Sequence, residues 1–442
     1  MKKFILLFAA FVFAQGAKAM DNVQFFGFIQ PIFWHFQSDQ DYWSKVKYNT
    51  GGVSQGNFFI TADFDDNLST FINFELINNF STDKEWGAFN LQEAYLKWEP
   101  NNYVNLKFGQ VIPQFNSMFE IYNRTPLLPY LLRPQIYEAT IGNLVDIFDI
   151  LPQKALVHLS GYMPVSDGVK LDYATYINHT VNAFHSSPSN DLKPYYVAYG
   201  QGASPYLGYG GRVGLRVGDL KVGISASTDK GNQSKFKWTE GSYPDNPRDP
   251  KDPMDTDGDK NPFEQQTADL GEITRIRIGA DFSMKFAGFT LSGEYMMNKS
   301  NIDDHNVTFD DVYDLDVANK PITKTMSVKD FLKYANSKNK MFIGSGLDKM
   351  SYFATLQYNF TDNIYGYVMY DYLEDEINPY YFGTEGYKGF SFGAGWQVND
   401  NVVLKAQLVQ HNVKYDNTMD YTNYTQTDYS EMFMVIGTSI AF

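Results

Sequence analysis

The sequence predicts an all-β protein, a transmembrane antiparallel β-barrel of about 16 strands with one long connection folded into its lumen. Three observations predict it. Apolar and polar residues alternate with period two over segments long enough for a tilted bilayer-crossing strand, roughly 9 to 11 residues. Short polar turns built on Asn or Asp alternate along the chain with long polar connections. Aromatic residues make up 17% of the chain, with Tyr 32 and Phe 36, yet the mean hydropathy is −0.36. A barrel reconciles the last two values, because each strand averages a lipid face with a wet face while aromatics gather at both interfaces.

Taken in order, the chain opens with Lys2-Lys3, the apolar run Phe4 to Phe13 and Ala17-Lys18-Ala19. This is the charged, apolar, small-x-small order of a secretory signal peptide, which places residues 1–19 outside the mature fold and 20–442 in the barrel. The apolar run is too short for a transmembrane helix, which needs about 20 residues. Without Lys2, Lys3 and Lys18 the formal charge falls from −15 to −18. That balance excludes a nucleic-acid partner, whose phosphates require a basic face. The 442-residue chain has no cysteine, so an exported fold must be held by one continuous structure without disulfides.

Strands are expected near 23–36, 56–65, 68–79, 90–99, 103–112, 153–163, 169–180, 206–217, 220–229, 272–285, 289–298, 350–360, 364–374, 387–398, 402–414 and 430–442. Asp65-Asp66-Asn67, Pro100-Asn101-Asn102, Thr361-Asp362-Asn363 and Asn399-Asp400-Asn401 each stand just before an alternating strand. Asn and Asp suit tight hairpins because they tolerate left-handed backbone, so these are the short periplasmic-type turns. Both termini then lie on the periplasmic side. In GNFFITADF, Phe58, Ile60, Ala62 and Phe64 face outward; in QEAYLKW, Ala94, Leu96 and Trp98 do so while Glu93, Tyr95 and Lys97 stay wet. A one-residue slip would put such charges into hydrocarbon at roughly 2 to 4 kcal/mol for each Lys at mid-membrane, so register is well determined.

Three connections are long. Residues 113–152 carry Leu127, Leu128, Leu131 and Leu132, which need cover, and the nearest cover is the inner wall of an open barrel; this is the expected constriction loop. Residues 230–271 form an acidic, proline-rich outer loop. Residues 299–348 form a second outer loop, in which Ser327 and Asp330 have the spacing of a helix N-cap.

Period two also sorts the charges. Arg212 and Arg216 fall on the wet face of the eighth strand, Lys221 on the ninth, and Arg275, Arg277 and Lys285 on the tenth. These neighbouring strands make one basic wall, with Gly210, Gly214, Gly223 and Gly279 leaving room for long side chains. An acidic side is expected from Glu120, Glu138, Asp146 and Asp149 of the loop after strand five, together with Asp63, Glu75 and Glu93. Two readings follow: a transverse field across a constriction, or scattered charges neutralised by local pairs. In the acidic loop, Asp255, Asp257, Asp259, Asn261 and Glu264 present alternate oxygens suited to calcium, either as a weak site or as a solvated acidic run. No other cofactor is required. The histidines, His35, His158, His179, His185, His305 and His411, form no HExxH pair, and no GxSxG elbow occurs, so catalysis finds no motif.

The closing stretch YSEMFMVIGTSIAF, ending on Phe442, resembles the last strand of bacterial outer-membrane barrels. The order of strands and loops resembles the sixteen-stranded general porins over the whole mature chain. More locally, Gly109, Gln110, Pro113 and Phe115 in LKFGQVIPQFNSMFE resemble the phosphate-selective porin O and P family. A lysine commonly follows the Gly-Gln-aromatic unit there, whereas Val111-Ile112 stand here, so phosphate selectivity does not carry over. The resemblance implies a Gram-negative outer-membrane channel for passive diffusion of small polar or anionic solutes, surrounded by lipid and assembled as a homotrimer. The competing expectation is a surface binding or adhesion barrel with a closed lumen.

Overall fold

The computed structural model describes residues 22–39, 47–81, 87–138, 150–181, 203–232, 236–239, 265–268, 271–302, 305–315, 321–328, 330–331, 348–375, 384–415 and 428–442. Residues 1–19, Asp146, Asp149 and the calcium-type run Asp255 to Glu264 lie outside them.

The strands are β1 (Val23–Ser38), β2 (Lys47–Asp63), β3 (Leu68–Phe80), β4 (Ala88–Asn101), β5 (Val104–Val111), β6 (Ala155–Ser166), β7 (Val169–Val181), β8 (Ala203–Val217), β9 (Leu220–Asn232), β10 (Phe236–Thr239), β11 (Gln265–Ala268), β12 (Glu272–Phe286), β13 (Phe289–Ile302), β14 (Asn306–Leu315), β15 (Pro321–Ser327), β16 (Asp348–Asn359), β17 (Ile364–Asp375), β18 (Thr384–Asn399), β19 (Val402–Tyr415) and β20 (Tyr429–Ala441). Sixteen of them form a closed barrel in the order β1 to β9, β12, β13, β16 to β20. All of its pairings are antiparallel. The last strand closes on the first from Phe28 opposite Ala441 to Ser38 opposite Glu431. Gly27 and Phe442 complete that join: the Gly27 N–H donates to the Phe442 carbonyl at 2.9 Å, and the Phe442 N–H to the Gly27 carbonyl at 3.0 Å.

Each expected strand is present, and β2 is the one that starts far from its expected place, at Lys47 rather than 56. The stretch GGVSQ lies before the expected start, but it pairs within the sheet. Pro31 has no N–H for the ladder, and the β1–β2 register slips between Gln30 and Pro31. The extra residue is Ser54, whose hydroxyl donates to the Gln30 carbonyl at 3.1 Å. Gly52 is needed because a Cβ there would stand 2.1 Å from the Asn79 carbonyl oxygen. The outer connections also hold more structure than a plain loop, since β10 pairs with β11 and β14 with β15. After β15, the Asp330 N–H donates to Ser327 Oγ at 3.2 Å, as the cap spacing predicts.

The short turns work differently from the sequence expectation. Among the described non-glycine residues, positive φ is confined to Asn78 and Ala287, so the Asn/Asp turns are not left-handed. Their side chains instead accept the N–H groups that the reversal frees. Asp65 Oδ1 accepts from Asn67 and Leu68, both at 2.8 Å, and Asn101 Oδ1 accepts from Tyr103 at 2.9 Å and Val104 at 3.1 Å. Thr361 and Asn399 do the same in their turns. Positive φ belongs to the glycine turns, at Gly168, Gly218 and Gly288.

Facing follows period two. Phe58, Leu96, Trp98, Phe108, Val213, Ile224, Ile278, Met434 and Ile436 are exposed on the outside. Asn57, Phe59, Asn73, Glu93 and Arg277 are buried within. An apolar exterior on every wall around a polar interior is the inverse of a water-soluble fold and matches a hydrocarbon surround.

Candidate functional site

What distinguishes the interior is the connection from Ile112 to Lys154, described over residues 112–138 and 150–154. It leaves β5 where Gly109 adopts φ 135°, a conformation closed to other residues, and a Cβ there would meet the Ala94 carbonyl oxygen at 2.3 Å. Pro113 then forbids further ladder bonding. Among its described residues, two single 3-10 turns, Thr125–Leu127 and Gln135–Tyr137, shape the connection further on.

The connection turns inward because its apolar residues find their cover on the far wall. Phe115, Met118, Phe119, Tyr122, Ile136 and Tyr137 form one core with Met296 of β13, Phe353 of β16, Tyr367, Met369 and Leu373 of β17 and Tyr387 of β18. Leu131 and Leu132 join a second core with Ile32 and Trp34 of β1, Val409 of β19 and Phe433 and Val435 of β20. Three of the four leucines expected to need cover are buried; Leu127 is 66% exposed and instead faces the remaining cavity.

Polar wall residues fasten the backbone of this loop. Glu294 accepts from the Met118 N–H at 2.6 Å, Ser117 Oγ at 3.0 Å and Tyr137 Oη at 2.5 Å. Gln407 accepts from the N–H groups of Leu131 (2.9 Å) and Leu132 (2.8 Å), and its Nε2 donates back to the Leu132 carbonyl at 2.9 Å. Asp371 accepts from the Gln135 N–H at 2.8 Å. Lys405 donates to the carbonyls of Leu128, Thr125 and Tyr130 at 2.7, 2.8 and 3.4 Å. Irregular backbone at membrane depth is tolerable only when its polar groups are satisfied in this way.

The loop fills the lumen beside β1 to β4 and β16 to β20. On its short-turn side a cavity of about 530 Å³ remains, lined by Glu120, Asp172, Arg212, Arg216, Lys221 and Asp281 among mostly polar neighbours. Arg212 is bidentate to Asp281, at 2.9 Å from Nε and 2.6 Å from Nη2. Arg216 Nε lies 2.5 Å from Asp172 Oδ2, and this arginine side chain is 48% exposed to the cavity. Lys221 is exposed on the same wall. Burial raises the Glu120 carboxyl above the ordinary carboxylate range, against the opposing pull of Lys107.

No protein-family model matches the chain, and no curated protein matches it in sequence. Solved structures do match in shape. The outer membrane channel DcaP of Acinetobacter baumannii superposes with a TM-score of 0.50 at 9% identity, covering 95% of this chain and 97% of that one. OmpF of Salmonella typhi, solved with daunomycin, gives 0.50 at 11% identity, covering 95% and 98%. The anion-selective porin of Comamonas acidovorans gives 0.49 at 12% identity, covering 95% and 99%. The fold is that of the bacterial outer-membrane porins. DcaP is an outer membrane channel, and the outer membrane is the location expected here from the sequence.

Within the porin fold, the sequence-predicted charges separate into three groups. Arg212, Arg216, Lys221 and Glu120 come together at the cavity. Arg275 and Arg277 share Asp229 of β9, each at 2.5 Å, and are buried, Arg277 to 1% exposure. On the acidic side, Glu75 is buried in hydrogen bonds with Gln55 and Gln92. Glu93 sits 3.6 Å from Arg124, and Glu138 is buried against Arg133 at 3.0 Å. Asp63 and Lys285 are exposed near short turns, apart from the cavity. The glycines leave room as expected, but for different occupants. A Cβ at Gly214 or Gly223 would strike the Arg212 guanidinium, one at Gly210 the Tyr176 ring, and one at Gly279 the loop residue Asn116.

Sequence reasoning missed Asp172, Asp229 and Asp281, the carboxylates that accompany the arginines, and the loop-fastening set Glu294, Asp371, Lys405 and Gln407. All seven sit at inward parity within barrel strands, the signal that found the arginines. Among the described residues, no group of three or more His, Cys, Asp or Glu could hold a metal.

Proposed function

We propose that this chain is an outer-membrane diffusion channel for small polar or charged solutes, narrowed by the loop over residues 113–152. The observation that carries the reading is the charge-lined cavity of about 530 Å³ left beside the loop inside a closed sixteen-stranded barrel. Barrels of this strand number enclose water. In this reading Arg216, Lys221 and Glu120 carry ion preference, because they face the cavity, and Arg275 and Arg277 hold the wall together. Assembly as a homotrimer and weak calcium binding by Asp255, Asp257, Asp259, Asn261 and Glu264, on the order of 10⁻⁴ to 10⁻³ M, belong to the same proposal.

Planar-bilayer recording of the purified protein tests it. Discrete steps whose size rises with salt support a channel; a silent bilayer from folded barrel removes it. A second reading, a surface binding barrel with a closed lumen, is favoured by the two apolar cores that fill the space beside β16 to β20 and β1. Silence in the same recording is its expected outcome.

A further inference from the structure

The cavity beside the loop has two unlike sides. Where β7 to β9 and β12 line it, three cations, Arg212, Arg216 and Lys221, stand with two carboxylates, Asp172 and Asp281, so one positive charge is left over. Arg212 commits its fork to Asp281, whereas Arg216 gives only its Nε–H to Asp172 and keeps a half-exposed side chain. Lys221 takes part in neither ion pair. Arg216 and Lys221 are directly opposite each other across the β8–β9 ladder. Like charges placed in this way repel, and an anionic group lying between them removes that cost.

The opposite side is apolar. β17 and β19 stand five and seven places from β8 in the ring of sixteen strands, so the loop residues they hold lie across the cavity from the basic wall. Tyr365 Oη of β17 donates to the Pro129 carbonyl at 3.2 Å, and Lys405 of β19 holds the carbonyls of Thr125 and Leu128. These bonds fix the backbone on both sides of Leu127, whose side chain is nevertheless 66% exposed in the cavity. Ile121 and Pro129, both half-buried, line the same space. An apolar group held in place opposite a few convergent polar ones is the make-up of a small-molecule site.

We infer that this cavity binds amphipathic monocarboxylates, with the carboxylate between Arg216 and Lys221 and an aryl or branched alkyl group against Leu127. One excess charge suits one carboxylate. A dicarboxylate of similar length would set its second charge on the side of the apolar loop and Glu120, where it gains nothing. The inference rests on the channel reading for its role, since it names the solute class the lumen would select, but the binding itself does not require conduction.

The test measures binding by calorimetry on the folded full chain in amphipol, with amphipol alone as the blank, and records conductance separately in planar bilayers. The probes are 3-phenylpropanoate, propanoate, hexanedioate and the neutral 3-phenylpropan-1-ol. 3-Phenylpropanoate should bind about tenfold more tightly than propanoate, the lower end of what a small apolar group is worth in a pocket. Hexanedioate and the alcohol should bind no better than propanoate. Leu127→Ser should remove most of the tenfold gap, and Leu127→Met, which keeps an apolar tip, should preserve it. Lys221→Gln should weaken both monocarboxylates by the same factor, about two- to fivefold for an exposed ion pair. Lys285→Gln, apart from the cavity, should bind as the parent does. Equal affinity for the two monocarboxylates, an undiminished gap in Leu127→Ser, or an alcohol bound as tightly as the acid overturns the inference and leaves a conducting channel intact. A silent bilayer removes the channel reading instead, and the calorimetric comparison still decides whether the site binds this class.

Discussion

Replacing Lys405 with Met should loosen the in-folded loop while leaving the barrel intact. The Lys405 ammonium is buried at 3% exposure, and its partners are three loop carbonyls, two of them at 2.7 and 2.8 Å. Hydrogen bonds from a charged donor contribute about 1.5 to 3 kcal/mol each, so the two short ones supply roughly 3 to 6 kcal/mol. Removing the ammonium also recovers several kcal/mol of desolvation cost, which offsets part of this. The remainder, on the order of 1 to 3 kcal/mol, corresponds to about a five- to 150-fold rise in loop opening. Methionine keeps the volume and the apolar contacts, so lost packing is not a confounder. The readout is amide hydrogen exchange at Leu127 and Leu128, whose N–H groups bond to Arg124 and Thr125 carbonyls within the same turn. Both should exchange faster in the variant, with noisier single-channel current. Unchanged exchange at these two amides would refute the fastening role given to Lys405.

Three further outcomes follow from the lumen. Arg216→Gln with Lys221→Gln should move the reversal potential in a salt gradient toward cation preference, whereas Arg277→Gln should leave selectivity alone and lower stability; the same recording with a urea titration separates them. Asp229→Asn removes the carboxylate shared by two buried arginines and should destabilise the barrel by about 3 to 5 kcal/mol, measured by urea unfolding in detergent. Burial raises the Glu120 pKa, so as pH falls Glu120 is neutralised before ordinary carboxylates, and the cavity becomes more positive. Cation permeability should therefore drop on mild acidification in the parent and stay flat over that step in Glu120→Gln; parallel curves would exclude Glu120 as the titrating group.

Much of this was legible in the sequence because barrel strands are held between two solvents. Lipid outside and polar groups inside impose period two on every strand, and the expected elements fell within a few residues of those observed. The first part of β2 escaped because Gly51, Gly52 and the extra residue Ser54 break the apolar alternation there, although the pairing with β1 accommodates them as a bulge. Inward parity identified Arg212, Arg216 and Lys221, but parity says nothing about neighbours across strands. That Arg275 and Arg277 meet Asp229, and Arg212 meets Asp281, depends on register, which is set by the whole hairpin and is not visible in one strand. The loop's direction could be argued from Leu128, Leu131 and Leu132, whereas its fastening by β13, β17 and β19 joins residues up to 280 positions apart and has no local signature.

The loop's second core touches both margins of the seam where the cylinder is zipped shut: Ile32 and Trp34 on one side, Phe433 and Val435 on the other, with Leu131 and Leu132 lying across. Those leucines act as an internal splint. Parting the seam would tear away their apolar seat along with the backbone ladder, so the hairpin of β19 and β20 both completes the wall and locks in a segment some 300 residues earlier in the chain.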